Sequence, residues 1–242
     1  MKEEPGSADH APRERRRAKT KLALVAAAAS KIELKPFEVV SVKEICDGVC
    51  VSEKAFYTHF GKKSDLLAYC VELWNLEIQL RAWHAVNGRM GLPMVGAVFE
   101  QVSSHVRGRP GLTGELIGIL ARRREHTAWP HITPVERQIA FPEFADIGNF
   151  EAQPIDEFME FHLRQAVANG ELPPHVRVDA FAGALASFFF GAPVALRSKR
   201  AVIDQVFRSQ LNMLLVGARA MLPRRNTEND SNVPSLHMRV DS

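Results

Sequence analysis

The chain has 242 residues, 46% of them apolar and 24% charged, with a net charge of only +3. This composition supports a core without disulfides or a structural metal, and three cysteines (Cys46, Cys50, Cys70) with no secretory leader read as reduced thiols. No uninterrupted apolar window approaches the roughly 18–20 residues of a membrane span, because the longest, 180–196, is broken by Gly183, Ser187, Gly191 and Pro193. The expectation is a cytoplasmic protein without a membrane partner.

The charge is unevenly placed. Residues 11–63 hold 12 Lys/Arg against 6 acids, so this block carries +6 and the remainder −3. A basic module on a mildly acidic body is what a nucleic-acid reader joined to a different module would show. A solvated charged face would look the same.

Residues 1–12 are polar, contain Pro5, Gly6 and Pro12, and read as a disordered tail. A helical pattern begins near Arg13. Leu22, Val25, Ala29 and Ile32 recur at steps of 3, 4 and 3 and mark one apolar face. Pro36 ends this helix by removing a donor and disfavouring helical geometry at Lys35. Ser41 and Glu44 have capping-box spacing and open a second helix, whose apolar face is Val42, Ile45 and Val49 and which stops near Gly48. Ser52 caps a third short helix that carries Ala55, Phe56 and Tyr57 and ends at Phe60-Gly61. A fourth begins at Ser64, with Asp65 complementing its dipole and a wide stripe of Leu66, Leu67, Cys70, Val71 and Trp74.

Beyond residue 75 no segment alternates as a strand would. Helices are expected over 93–107, 112–126, 134–141, 154–169, 177–196 and 201–221, separated by Gly/Pro breaks, of which NGELPPH at 169–175 is the clearest. Residues 223–242 read as a polar tail. The fold class is therefore all-α, with a domain at 13–66, a larger helical domain at 67–222 and tails at 1–12 and 223–242.

The segment 41–70 is a short helix, a tight turn and a second short helix. One short exposed helix fits the DNA major groove, while the helix before it sets the angle of approach. Residues 52–59 are the candidate recognition helix, with Phe56 and Phe60 facing inward and Glu53, Lys54, Thr58 and His59 facing outward. Ser41-Val42, Ile45, Val51-Ser52, Phe56-Tyr57, His59-Phe60, Lys63 and Leu66 resemble, at matching spacing, the N-terminal motif of the tetracycline-repressor (TetR/AcrR) family of bacterial transcription regulators. Two positions depart from that pattern. The family's turn glycine falls at Cys50, where left-handed backbone would cost a side chain about 1 kcal/mol. The glycine before the second helix falls at Pro36.

The resemblance implies a sequence-specific, DNA-binding transcriptional regulator, a repressor released by a small-molecule effector. A helical adaptor whose helix-turn-helix reads no operator is the other reading. Tyr57 matches the family tyrosine that donates to phosphate, against a core aromatic with a wet tip; Lys63 matches a phosphate-contacting lysine, against an ordinary surface lysine. Ser41 and Ser52 cap helices and also stand near phosphate. Lys54, Ala55, Thr58 and His59 are the candidates for readout of bases or backbone. Arg15, Arg16 and Arg17 read either as a minor-groove arm before the first helix or as a polyelectrolyte tail.

The resemblance further implies a homodimer on a palindromic double-stranded operator. The last two helices are the interface candidates, because FAGALASFFFGAPVAL is apolar on most sides. Phe99, His105, Leu116, Leu120, Trp129, Phe158, His162 and Phe188 are candidates for an effector pocket, each with plain core as its alternative. No phosphate-binding loop, nucleophile elbow, zinc-protease pair or dinucleotide turn is present, so no catalytic activity, cofactor or metal is expected. Cys46 and Cys50 lack the further ligands of a zinc site.

Overall fold

A computed structural model describes residues 12–122, 129–145 and 147–220, and these fold into helices with no strand among them. The expected tail at 223–242, and all of the first tail except Pro12, lie outside the described residues. Three helices come first: α1 (Pro12–Ile32), α2 (Val42–Asp47) and α3 (Glu53–His59), with a 3₁₀ turn, η1 (Phe37–Val39), between α1 and α2. Then follow α4 (Lys63–Ala85), α5 (Leu92–Gly108), α6 (Pro110–Arg122), α7 (Pro134–Ala140), α8 (Ile155–Ala168), α9 (Val178–Ala195) and α10 (Ile203–Ala220). Each expected helix is present within a few residues of its expected bounds. Helix α6 is described as far as Arg122, and its expected end at 126 lies outside the described residues.

Two start and stop signals act differently from the expectation. Helix α1 opens with Pro12 at its first position, where a missing N–H costs nothing, and ends at Ile32, ahead of Pro36. Its buried stripe is Ala18, Leu24, Val25, Ala28, Ala29 and Ile32, so Leu22 is only partly buried. Helix α4 opens one residue early, and the Asp65 carboxylate accepts the Lys62 N–H at 3.0 Å.

The first three helices pack with the start of α4 around Leu24, Ile45, Phe56 and Leu66, all fully buried. Beyond it the rest of α4 packs on α5 and α6, while α8, α9 and α10 each pack on α5, with α9 also touching α8 and α10. Two joints bind the halves. The Glu33 carboxylate, just past α1, accepts the Gly111 and Leu112 N–H groups at 2.9 Å each, capping the first turn of α6. Gly111 is needed there, since a Cβ would lie 2.6 Å from the Ile32 carbonyl oxygen. The second joint, between α1 and α7, belongs to the site described below. The NGELP signal also has a structural meaning. Gly170 takes φ +73° beyond the end of α8, Glu171 reaches across to accept the Leu92 N–H at 2.6 Å, and Leu172 is buried.

Helix α9 is the one described helix long and apolar enough to cross a membrane, with a mean hydropathy of 1.5 over Val178–Ala195, which corrects the expectation that no window comes near. Its Phe181, Leu185, Phe189, Ala192 and Pro193 are buried, 28% of the span.

His162 is core, 2% exposed between the rings of Phe158 (4.4 Å) and Phe161 (5.1 Å), and its Nδ1 has no hydrogen-bond partner. Burial lowers its pKa from 6.5 to about 4. The folded protein therefore refuses a proton that the unfolded chain accepts, so stability is full above pH 6.5 and falls as the pH drops toward about 4. His162→Leu should flatten that limb, which we expect to be worth up to about 3 kcal/mol, as read from urea denaturation at neutral and mildly acidic pH.

Candidate nucleic-acid interface and ligand cavity

Helices α2 and α3 are too short to persist alone, and local caps hold their ends. The Ser41 hydroxyl accepts the Glu44 N–H at 3.1 Å while Glu44 accepts the Ser41 N–H at 2.8 Å, a complete capping box. Lys35 adds an ion pair to Glu44 at 2.6 Å. The Lys35 and Ser41 hydrogen bonds hold the Glu44 carboxyl down at about 2. At α3 the Ser52 oxygen accepts the Ala55 N–H at 3.2 Å.

Between the two helices Cys50 has φ +55°. Its N–H reaches the Asp47 carbonyl (3.5 Å) and the Val51 N–H reaches the Cys46 carbonyl (3.2 Å). This is the bond pattern of a Schellman closure, which calls for a left-handed residue at the Cys50 position. The departure from glycine therefore leaves the turn in place and loads it with strain. Cys50 is exposed, whereas Cys46 and Cys70 are buried and burial raises both thiols, Cys70 to about 12. Among the described residues no group of His, Cys, Asp and Glu is arranged to hold a metal.

Helix α3 is fixed from behind by an aromatic chain. Phe56 packs tilted against Phe60 (5.4 Å between centroids), and Phe60 meets Tyr69 of α4 edge to face (5.9 Å). This leaves Lys54, Tyr57 and Thr58 exposed on the front of the helix, with Tyr57 51% exposed. The Thr58 hydroxyl donates to the Lys54 carbonyl at 3.0 Å, and Ala55 is half-buried.

Five expected site residues are placed differently. Arg15, Arg16 and Arg17 are exposed but lie inside α1, because the helix begins at Pro12, so they form no arm ahead of it. His59 does not face outward. It is half-buried with Nδ1 shielded, and burial, helped by the charges of Arg17 and Lys21, lowers its pKa. Lys63 is turned back onto η1, where its ammonium donates to the Phe37 and Glu38 carbonyls and sits 4.4 Å over the Phe37 ring. The lysine that does stand in solvent at this corner is Lys62, 75% exposed. Lys43 on α2 is also exposed. Nothing in the spacing distinguishes Lys62 from Lys63, because the choice depends on where η1 places its carbonyls.

Behind α3 lies a buried ion pair. The Lys21 ammonium of α1 meets the Glu136 carboxylate of α7 at 2.8 Å, with the two side chains only 16% and 7% exposed. Lys21 also lies over the Tyr69 ring at 3.8 Å. Burial alone would raise the Glu136 pKa, but the bonds from Lys21 and from the Thr133 N–H overcome it and lower it. Glu136 and Thr133 together form the capping box of α7.

On the far side of α4 is a cavity of about 870 Å³. Its walls come from α4 (Trp74, Ile78), α5 (Phe99), α6 (Leu120), α8 (Met159) and α9 (Phe189, Phe190), with Trp129 from the chain leading to α7. Of the expected pocket residues, Phe99, Leu120 and Trp129 line it. Leu116, Phe158 and His162 are buried core instead, and Phe188 packs against the core beside the two phenylalanines that do line the space. His105 also stands away from it, 3.4 Å from Glu77. Burial works to raise the Glu77 pKa, but His105 and Arg81 bring it down to about 2. The α4 wall was not anticipated, because the apolar stripe on α4 is equally consistent with packing on a single neighbour.

Two variants test this account of the interface. Cys50→Gly should stabilise the protein by about 1 kcal/mol by relieving the left-handed side chain, read as a raised urea midpoint at unchanged slope. Glu136→Leu should cost about 3–5 kcal/mol by stranding the Lys21 charge, whereas Lys21→Met with Glu136→Leu should recover most of it; equal losses in the single and double variants would show that the pair is not coupled.

A match to the family model described as bacterial regulatory proteins, tetR family, spans residues 24–70. No curated protein matches the chain in sequence. Similar solved structures include one described as the molecular basis for control of antibiotic production by a bacterial hormone (TM-score 0.60, 21% identity, 83% of this chain and 97% of that one). Another is TylP, a TetR regulator from Streptomyces fradiae (0.57, 22%, 85% and 82%). A third is FadR of Thermus thermophilus, a TetR-family repressor in complex with lauroyl-CoA (0.55, 16%, 87% and 99%). At these identities the structures establish a shared fold. Residues 24–70 therefore form a tetR-family helix-turn-helix segment, and the chain shares the fold of these regulators.

Proposed function

We propose that this protein is an operator-binding transcriptional repressor that a small molecule in the cavity releases from DNA, with a reading domain at 13–66 and an effector and dimerisation domain at 67–222. One observation carries the reading. The front of α3 is open to solvent at Lys54, Tyr57 and Thr58, while its back is anchored to α4, which also walls the cavity. Lys54 and the Thr58 methyl read base edges in the major groove. The Tyr57 hydroxyl, Ser52, Ser41 and Lys62 meet phosphates and set the register. Arg15, Arg16 and Arg17 contribute charge from the first turns of α1.

A ligand against Trp129 and α4 would act on α3 by two routes, through Tyr69 on α4 and through Glu136 on Lys21. Dimerisation uses α9 and α10. Ala180, Gly183, Ser187, Gly191 and Val194 form an exposed stripe of mostly small residues at helical steps, and Met213 and Val216 of α10 are 63% and 57% exposed. A two-fold dimer would present two copies of α3 to a palindromic site.

The test is binding to DNA upstream of the protein's own gene against scrambled DNA, over a salt series. Tyr57→Phe should weaken both to a similar degree. Lys62→Ala should reduce the salt slope by about one, and Lys54→Ala or Thr58→Val should change sequence preference. Lys63→Ala should leave the slope unchanged and lower stability instead. Equal affinity for both DNAs would reject operator reading.

A further inference from the structure

The identity of the cavity's ligand is open, but its walls restrict its chemistry. The described lining residues include three that ionise, Glu72, Asp156 and Glu160, all acidic, and no lysine, arginine or histidine. Asp156 is exposed in the first turn of α8, where the helix dipole favours its charged form. Glu160 lies one turn further on the same face, its outer side engaged by Arg164, which does not line the cavity. The remaining wall carries Trp74, Phe99, Trp129, Phe189 and Phe190, whose ring faces are negative and attract cations.

We propose that the cavity takes a hydrophobic cation, a molecule with an amine or quaternary ammonium group on an apolar body. The proposal rests on the cavity being the effector site. The apolar body lies between the aromatic walls and the small residues Ala182, Gly183 and Ala186 of α9, and the cationic group faces Asp156 and Glu160. An anionic amphiphile would give up its hydration facing carboxylates, with no positive side chain among the described lining residues to receive it.

The test uses the full chain with Trp83→Phe. This leaves Trp74 and Trp129, both on the cavity wall, as the fluorescent reporters. Decyltrimethylammonium, decanol and decanoate, matched in chain length, are titrated below the concentrations at which they aggregate. The cation should bind at least about tenfold more tightly than decanoate and several-fold more tightly than decanol. Asp156→Asn with Glu160→Gln should bring the cation to the level of decanol and leave decanol unchanged. Decanoate binding as tightly as the cation, or a cation affinity indifferent to the double variant, would overturn the proposal. Ala182→Leu separates this failure from failure of the cavity reading. Ala182 is half-buried, lines the cavity and lies outside the exposed stripe of α9, so a leucine there takes up cavity space and should weaken all three probes. Binding of all three probes that is unchanged by Ala182→Leu, or no binding by any probe, would reject the cavity as the effector site and the proposal with it.

Discussion

The contact between Lys21 and Glu136 joins the two halves of this protein. An ammonium and a carboxylate, both nearly sealed from water, meet at 2.8 Å between α1 and α7. Desolvating such a pair costs several kcal/mol per ion, and the return depends on geometry and on the other bonds that each charge makes. Here both charges have further partners. Lys21 lies over the Tyr69 ring, and Glu136 also takes the Thr133 N–H. Helix α1 is held a second time past its C-terminal end, where Glu33 caps α6. Helix α3 packs on α1, and its aromatic chain reaches Tyr69 of α4, so its orientation is tied to a helix that also walls the cavity.

The reading surface combines two kinds of stabilisation. Caps at Ser41 and Ser52 and the Schellman closure at Cys50 define where α2 and α3 begin and end, each contributing on the order of 1 kcal/mol. None of these sets the direction in which α3 faces. That is set by the Phe56–Phe60–Tyr69 chain and the half-buried His59. Strain at Cys50 is tolerated because the surrounding bonds specify the turn more strongly than one side chain opposes it.

The cavity depends on long-range contacts throughout. Its rim segment is tied to α4 by the buried Gln79, whose amide pairs with both backbone groups of Gln153 at 2.6 and 3.1 Å. This holds Ala152 and Pro154 beside the opening. A buried amide satisfied on both sides costs little and is directional, whereas an apolar contact at this place would let the segment slide.

The sequence by itself determined the helices, their caps and the left-handed turn, because these depend on residues within four or five positions of each other. It put Lys54 and Thr58 on the exposed face of α3 for the same reason. Tertiary structure decided what the chain's charged and aromatic residues do. It placed Lys63 on the η1 carbonyls and left Lys62 in water, turned His59 inward and sealed His162. It also chose Phe189 and Phe190 over Phe188 for the cavity and paired Lys21 with Glu136 across 115 positions of sequence. In each of these the deciding partner is distant in sequence, and helical periodicity, which reports only which face is buried, cannot say against what.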